Sequence, residues 1–262
     1  MRGAVLRRTF IHLPGIGPRR EQALWRAGIL DWDSALRAKL APGFSAARWD
    51  EIRRLVDQSR RFLDAGDHAF FAEALPQPYH WRALHDFRGR VAYLDIETTG
   101  TGPWAQVTVV GVYDGVRTHS FIHGDNLDLF PEFIDHFAVI VTFNGSTFDL
   151  PFLRRRFPRL RFHQLHVDLR YALRQLGIRG TLKEIERCLG MRRPADLEGL
   201  TGEDAVRLWV EYCSGREKSL DLLLRYNAAD VENLEPLAHY AYRQLWEKCD
   251  CADRCTDRAA IR

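Results

Sequence analysis

The sequence predicts an α/β protein: a mixed five-stranded sheet flanked by helices, preceded by a small all-α domain. Three observations predict it. Residues 90–97 (RVAYLDIE) and 106–113 (QVTVVGVY) are rich in strand formers, and Asp114-Gly115 is a two-residue hairpin signal ahead of 117–123 (RTHSFIH). Residues 138–143 (AVIVTF) form a continuous apolar run, the pattern of a buried strand. Helical patterns then dominate to the C-terminus, interrupted by a fifth strand near 162–167.

Taken in order, the chain opens with Leu13-Pro14-Gly15-Ile16-Gly17-Pro18, followed by Arg19 and Arg20. Gly15 and Gly17 permit a tight hairpin whose backbone can approach a phosphate. Pro18 suits the first helical position and leaves N–H groups directed at an anion. The stretch resembles a helix-hairpin-helix motif, which implies a grip on a nucleic-acid backbone without reading sequence. A structural turn between two packing helices is the competing reading. Residues 45–65 follow as a helix, with Ser45 as its cap and Trp49, Ile52, Val56 and Phe62 at helical spacing. Pro76 and Pro78 mark a linker. The expected organisation is therefore a helical domain over 1–73, a linker over 74–87, an α/β domain over 88–246 and a cysteine-containing tail over 247–262.

Within the α/β domain, Thr98-Thr99-Gly100 stops the first strand, and helices are expected over 128–137, 149–157 and 219–237. Five residues stand out on these elements. Asp95 and Glu97 are two apart on a strand, so their carboxylates face one side. Asp149 closes Asn144-Gly145-Ser146-Thr147-Phe148-Asp149, which begins at the carboxyl end of the buried strand, where ligands of open α/β sheets bind. Tyr226 and Asp230 are four apart on a helix and share a face. Four carboxylates converging on one point repel one another unless a cation compensates them. Hard oxygen ligands select Mg²⁺ or Mn²⁺, and two such ions in a carboxylate cage cut phosphodiester bonds.

These residues resemble the DEDD superfamily of 3′-5′ exonucleases, whose fold is ribonuclease H-like. Its motifs look like Asp95-x-Glu97, Asn144-x-x-x-Phe148-Asp149 and Tyr226-x-x-x-Asp230; with Arg at 225 and Tyr at 226, the chain is similar to the tyrosine (DEDDy) branch. The stretches 166–169 and 180–186 are similar to ribonuclease H-like proteins of the YprB type. The resemblance covers about residues 88–240. It implies that Asp95 bridges two metal ions. Glu97 and Asp230 would bind the ion that activates water, and Asp149 would help hold the ion that stabilises the leaving 3′ oxygen. Tyr226 would orient the attacking water.

Charge is informative locally. The net charge is +3, yet residues 1–61 carry 13 Lys and Arg against 6 Asp and Glu. Arg154, Arg155, Arg156, Arg159 and Arg161 follow directly on Asp149 and could guide a phosphate backbone, or form a solvated arginine face. Thr98, Asn144, Arg154 and Arg155 join Gly15, Gly17, Arg19 and Arg20 as candidate nucleic-acid contacts. Cys249, Cys251 and Cys255 could bind zinc or an iron–sulfur cluster, although reduced thiols on a tail are the favoured reading. Five cysteines outside any disulfide framework favour a reducing cytoplasm. No apolar run approaches the ~20 residues of a membrane span. The combined expectation is a metal-dependent 3′-5′ exonuclease acting on single-stranded or frayed nucleic acid, with DNA favoured. An RNA-processing exoribonuclease and an inactive nucleic-acid-binding adaptor are the alternatives.

Overall fold

β1 (Val91–Thr98) is the middle strand of the sheet in the computed structural model, which describes residues 5–254, those after 249 by backbone alone. β2 (Val107–Tyr113) and β3 (Thr118–Ile122) follow as antiparallel neighbours. β4 (Val139–Thr142) lies parallel to β1 on its other side, and β5 (Leu165–Asp168) completes the order β3-β2-β1-β4-β5. The expected five-stranded mixed sheet is therefore present. At the β2–β3 turn Gly115 takes a φ of 91°, and Asp114 Oδ1 accepts from the Val116 and Arg117 N–H groups, both at 2.8 Å.

Alternation along β1 gives the sheet two different faces. Ala92, Leu94 and Ile96 pack with Val110 and Val112 against Phe130 and Ile134 of α5 (Phe130–Asp135) and Leu150 and Leu153 of α6 (Asp149–Arg156). On the other face, Val109 packs with Leu208 and Trp209 of α9 (Gly202–Cys213) and with Leu223 and Tyr226 of α10 (Glu217–Arg254). Asp95 sits opposite Gly111 and Glu97 opposite Val109, so both acids lie on the α10 side. The register shifts between Glu97 and Thr98, an irregularity of the kind that re-aims a side chain at a strand end.

The chain divides into two compact units. The sheet and its helices belong to residues 89–162 and 167–241; the other unit comprises residues up to 88, 163–166 and those from 242 on. This other unit is built from α1 (Pro18–Arg26), α2 (Trp32–Arg37), α3 (Ala46–Asp64) and α4 (His68–Ala74). Phe10, Trp32, Trp49 and Phe71 are its largest fully buried side chains, and Trp32 stacks on Phe71 at 6.2 Å. Ser45 caps α3 by accepting from Arg48 N–H.

The structure changes several expectations. Residues 74–87, expected as a linker, contain a 3₁₀ helix, Gln77–Ala83, with His80, Trp81, Arg82 and Ala83 buried. Pro76 is its N-cap and Pro78 its second residue, positions where a missing N–H costs nothing, so the prolines start a helix. At the glycine hairpin Gly15 has a φ of 78° and Gly17 is the N-cap of α1 with Pro18 first. Arg48 donates to the Pro14 carbonyl and Arg20 to that of Gly15. Among the described residues a 3₁₀ turn, Leu6–Arg8, precedes this hairpin in place of the expected first helix.

Farther along, the fifth strand begins at Leu165; Phe162 is partly buried against the core. α10 runs on through 247–254, so the expected tail starts as helix. Cys249 is half-buried there, whereas the side chain of Cys251 and all of Cys255 lie outside the described residues. α7 (Leu169–Gln175) follows β5, and Cys188 and Cys213 end α8 (Leu182–Cys188) and α9, where both are exposed. Among the described residues, no helix is long and apolar enough to cross a membrane.

Candidate metal centre

Asp95, Glu97 and Asp230 each bring a carboxylate oxygen within 4.8 Å of those of the other two. Two of them come from the α10 side of β1 and one from α10. In that helix Leu223, Tyr226, Asn227, Asp230, Val231 and Leu234 are buried, spacings of three and four that define the stripe facing the sheet. Tyr226 and Asp230 thus enter on the stripe that also carries the packing residues.

Asp149 arrives by a different route. The loop between β4 and α6 is folded around Asp168, whose two oxygens accept from Asn144 N–H at 2.8 Å and Ser146 N–H at 3.0 Å. Asn144 is in the left-handed region, with a φ of 68°. A Cβ at Gly145 would meet Thr142 Oγ1 at 2.2 Å, so only glycine fits that turn. The result places Asp149 as the first residue of α6, 2% exposed, with Oδ1 accepting from the backbone N–H of Ile96 at 3.2 Å. It stands beside Asp95, although it is not one of the three mutually close carboxylates.

Burial and mutual repulsion dominate the electrostatics. Desolvation, then the charges of Asp149, Asp230 and Glu97, hold the Asp95 carboxyl well above its ordinary range. Glu97 is raised in the same way by burial and by Asp230. Burial pushes Asp149 up to about 7 against the pull of two backbone N–H groups. Asp230 is raised by burial and opposed by Arg193. Tyr226 is raised by burial and then by Asp230, so its phenol stays protonated at neutral pH.

The group fits a hard divalent cation. Its donors are all carboxylate oxygens, and Glu97 Oε1 is buried without a hydrogen-bond partner, so its lone pairs are open to a metal ion. The cleft above it, about 720 Å³, is lined by Asp95, Glu97, Tyr226 and Asp230 together with Thr98, Phe148 and Thr201.

Three residues that the sequence reading assigned no role touch this group, and a fourth, Glu186, holds one of them. Asn227 Nδ2 donates to Asp95 Oδ2 at 2.9 Å. Gly111 makes this possible, since a Cβ there would sit 1.9 Å from Asn227 Oδ1. Arg193 Nη2 donates to Asp230 Oδ1 at 2.5 Å and to Glu186 Oε1 at 2.7 Å, while its Nε donates to Glu186 Oε2 at 2.6 Å. Lys183 Nζ lies 2.8 Å from the Tyr226 hydroxyl. Asn227 was adjacent to a recognised motif residue, and Lys183 and Glu186 lay in a recognised stretch. Arg193 sits in a non-periodic loop that carries no local signal.

Of the candidate nucleic-acid contacts, Thr98 lines the cleft, where its hydroxyl donates to the Gly100 carbonyl at 2.7 Å. Asn144 does not line it. Its Oδ1 accepts from Arg170 at 2.6 Å and Thr147 at 2.9 Å, and it borders a separate cavity with Arg170, Arg174 and Arg179. Arg154 and Arg155 are also outside the cleft lining. Arg154 lies over Phe162 at 5.5 Å, while Arg155 covers Phe152 at 4.3 Å and donates to the Ala105 carbonyl at 2.9 Å. Phe157 is core.

A family model described as RNase_H superfamily matches residues 92–242, more than half of the chain and all of the carboxylate group. The chain belongs to the RNase_H superfamily. RNase H-like nucleases use divalent metal ions, which accords with the buried acidic cluster of this chain. Over part of its length the chain is also similar to a solved family B DNA polymerase from the hyperthermophilic archaeon Pyrobaculum calidifontis. That match has a TM-score of 0.48 at 21% identity, over 58% of this chain and 24% of that one. No curated protein matches the chain.

Proposed function

We propose that the protein is a metal-dependent 3′-5′ exonuclease of the DEDDy type, acting on single-stranded or frayed nucleic acid. The observation that carries this reading is the convergence of Asp95, Glu97 and Asp230 within 4.8 Å, with Asp149 and Tyr226 beside them. Asp95, Glu97, Asp149 and Asp230 would hold the cations. Two Mg²⁺ or Mn²⁺ ions, when bound, would supply an activated water and charge stabilisation for the departing 3′ oxygen. The chain's own groups do the rest. Tyr226, protonated and at the cleft wall, orients the water by a hydrogen bond. Asn227 and Arg193 each hold one oxygen of a ligand carboxylate, which leaves the other oxygen for a cation. Phe148 and Thr98 line the same cleft and are placed to contact the terminal nucleotide.

In the helical unit, Gly15 and Gly17 with Arg19 and Arg20 are assigned a sequence-independent grip on the strand, and this grip favours DNA. The test uses 5′-labelled single strands of DNA and RNA with equal sequence, in Mg²⁺, Mn²⁺ and EDTA. The reading expects a ladder that shortens from the 3′ end, stronger on DNA and absent in EDTA. Cleavage that persists in EDTA sinks the metal mechanism, and internal cuts without a ladder sink the polarity.

A further inference from the structure

A second cavity, about 550 Å³, is lined by Lys183, Arg187, Arg192 and Arg193 together with Glu186 and Glu198. Two of its wall residues also touch the carboxylate site: Arg193 through Asp230 and Lys183 through Tyr226. Four cations therefore border one cavity immediately beside a cluster of acids.

Arg193 carries the argument. Its side chain is only 7% exposed. Nε and Nη2 are consumed by Glu186 and Asp230, and Glu186 is itself held by Asn233 Nδ2 at 3.1 Å. Nη1 is buried with no hydrogen-bond partner. An unmade bond on a buried charged donor is costly. The fork is locked on two sides, so the free donor has a defined position, and a guanidinium edge matches the oxygens of a phosphate. Arg187 and Arg192 are exposed, and among the described residues neither is held in an ion pair. Glu186 is spent on Arg193, which leaves Glu198 as the one lining carboxylate not so engaged. The net character of the cavity is cationic. A polyanion approaching four carboxylates needs such a wall.

We propose that this cavity is a phosphate subsite for the nucleic-acid strand, taking a phosphodiester other than the one at the carboxylate group. Arg193 Nη1 is the donor, and Arg187 and Arg192 supply the surrounding charge. The proposal rests on the nuclease reading and adds to it where the strand's next contact lies.

The experiment is fluorescence anisotropy of a labelled single strand with the full chain in EDTA, across a salt series. The double variant Arg187→Gln/Arg192→Gln changes exposed positions only, so it leaves the buried network alone. It should weaken binding about tenfold and lower the salt slope by about 1 or more. Arg193→Gln should weaken strand binding by a similar factor, and Arg193→Lys should recover part of it. Mn²⁺ titration calorimetry without nucleic acid runs alongside. If Arg193→Gln changes only the Mn²⁺ affinity, and the double variant leaves affinity and slope at wild-type values, Arg193 merely positions Asp230 and the subsite is wrong. Unchanged strand binding in the variants with normal wild-type cleavage removes the subsite and keeps the nuclease. The predicted binding losses in a protein that cuts nothing do the reverse.

Discussion

Glu21 in the helical unit and Glu97 in the sheet unit are both hidden from solvent, at 1% and 7% exposed, and their surroundings are opposite. Glu21 accepts from the Phe10 and Ile11 N–H groups at 2.7 and 3.2 Å. Arg82 Nη1 reaches both of its oxygens, at 2.9 and 3.0 Å. Both carboxylate oxygens of Glu21 have partners supplied by the fold. Glu97 faces Asp95 and Asp230, and one of its oxygens has no partner. A fully satisfied buried acid ties segments together, as Glu21 does for residues 10, 11 and 82. An unsatisfied group of acids is destabilising until something binds. The contrast separates a structural carboxylate from a candidate ligand without reference to any motif.

The contrast can be tested by substitutions, beginning with the largest effect. Asp95→Asn should lower metal-dependent cleavage by more than the 10–100-fold typical of a residue that only supports a ligand. It should also raise the metal-free Tm, because it removes one buried charge from a repelling cluster. Wild-type cleavage in this variant removes Asp95 from the site. Glu21→Gln should do the opposite. It leaves Arg82 buried without its counter-charge and should cost about 3–5 kcal/mol in urea denaturation. A loss below about 1 kcal/mol means that the pair is not an anchor.

Asn227→Ala sharpens the middle of the comparison by removing the hydrogen bond that holds Asp95. Mn²⁺ affinity by calorimetry should fall about 10–100-fold. Gly111→Ala should reproduce this by pushing the Asn227 amide away, and should add little in a protein that already has Asn227→Ala. Additive effects would show that Gly111 acts through something else.

The smallest expected effect concerns pH, where the two units share a sign. Asp86 in the helical unit and Asp149 in the sheet unit are each pushed by burial to about 7 from an ordinary 3.8. A raised folded-state value means that the folded protein holds the proton more tightly. The associated stability is therefore present below about pH 4 and lost as pH rises toward 7. Mn²⁺ should offset this loss for the acidic cluster and not for Asp86. A Tm-against-pH series in EDTA and in Mn²⁺, with Asp86→Asn as control, checks the division. Equal slopes with and without Mn²⁺ would mean that no cation meets the cluster.

Much of the site was legible because regular elements fix directions. A period of two put Asp95 and Glu97 on one side of β1, and a period near four put Tyr226 and Asp230 on one stripe of α10. The hairpin at Asp114-Gly115 and the buried run of β4 were equally local. What was not legible depends on partners brought together by the fold. Pro76 and Pro78 read as a linker because the sequence does not show that Arg82 closes onto Glu21, 61 positions away. Asn144 read as a contact because strand ends often bind ligands, and no local pattern shows that its side chain meets Arg170 and Thr147.

The sequence by itself determined the fold class and the grouping of acids within each element, since backbone periodicity sets which way successive side chains point. Tertiary structure alone decided what surrounds them. Asn227 reaches Asp95 across 132 positions only because the bare Gly111 leaves room for its amide, and Arg193 reaches Asp230 from an irregular loop. Those distances depend on how elements pack, and packing is a property of the whole chain that no local period encodes.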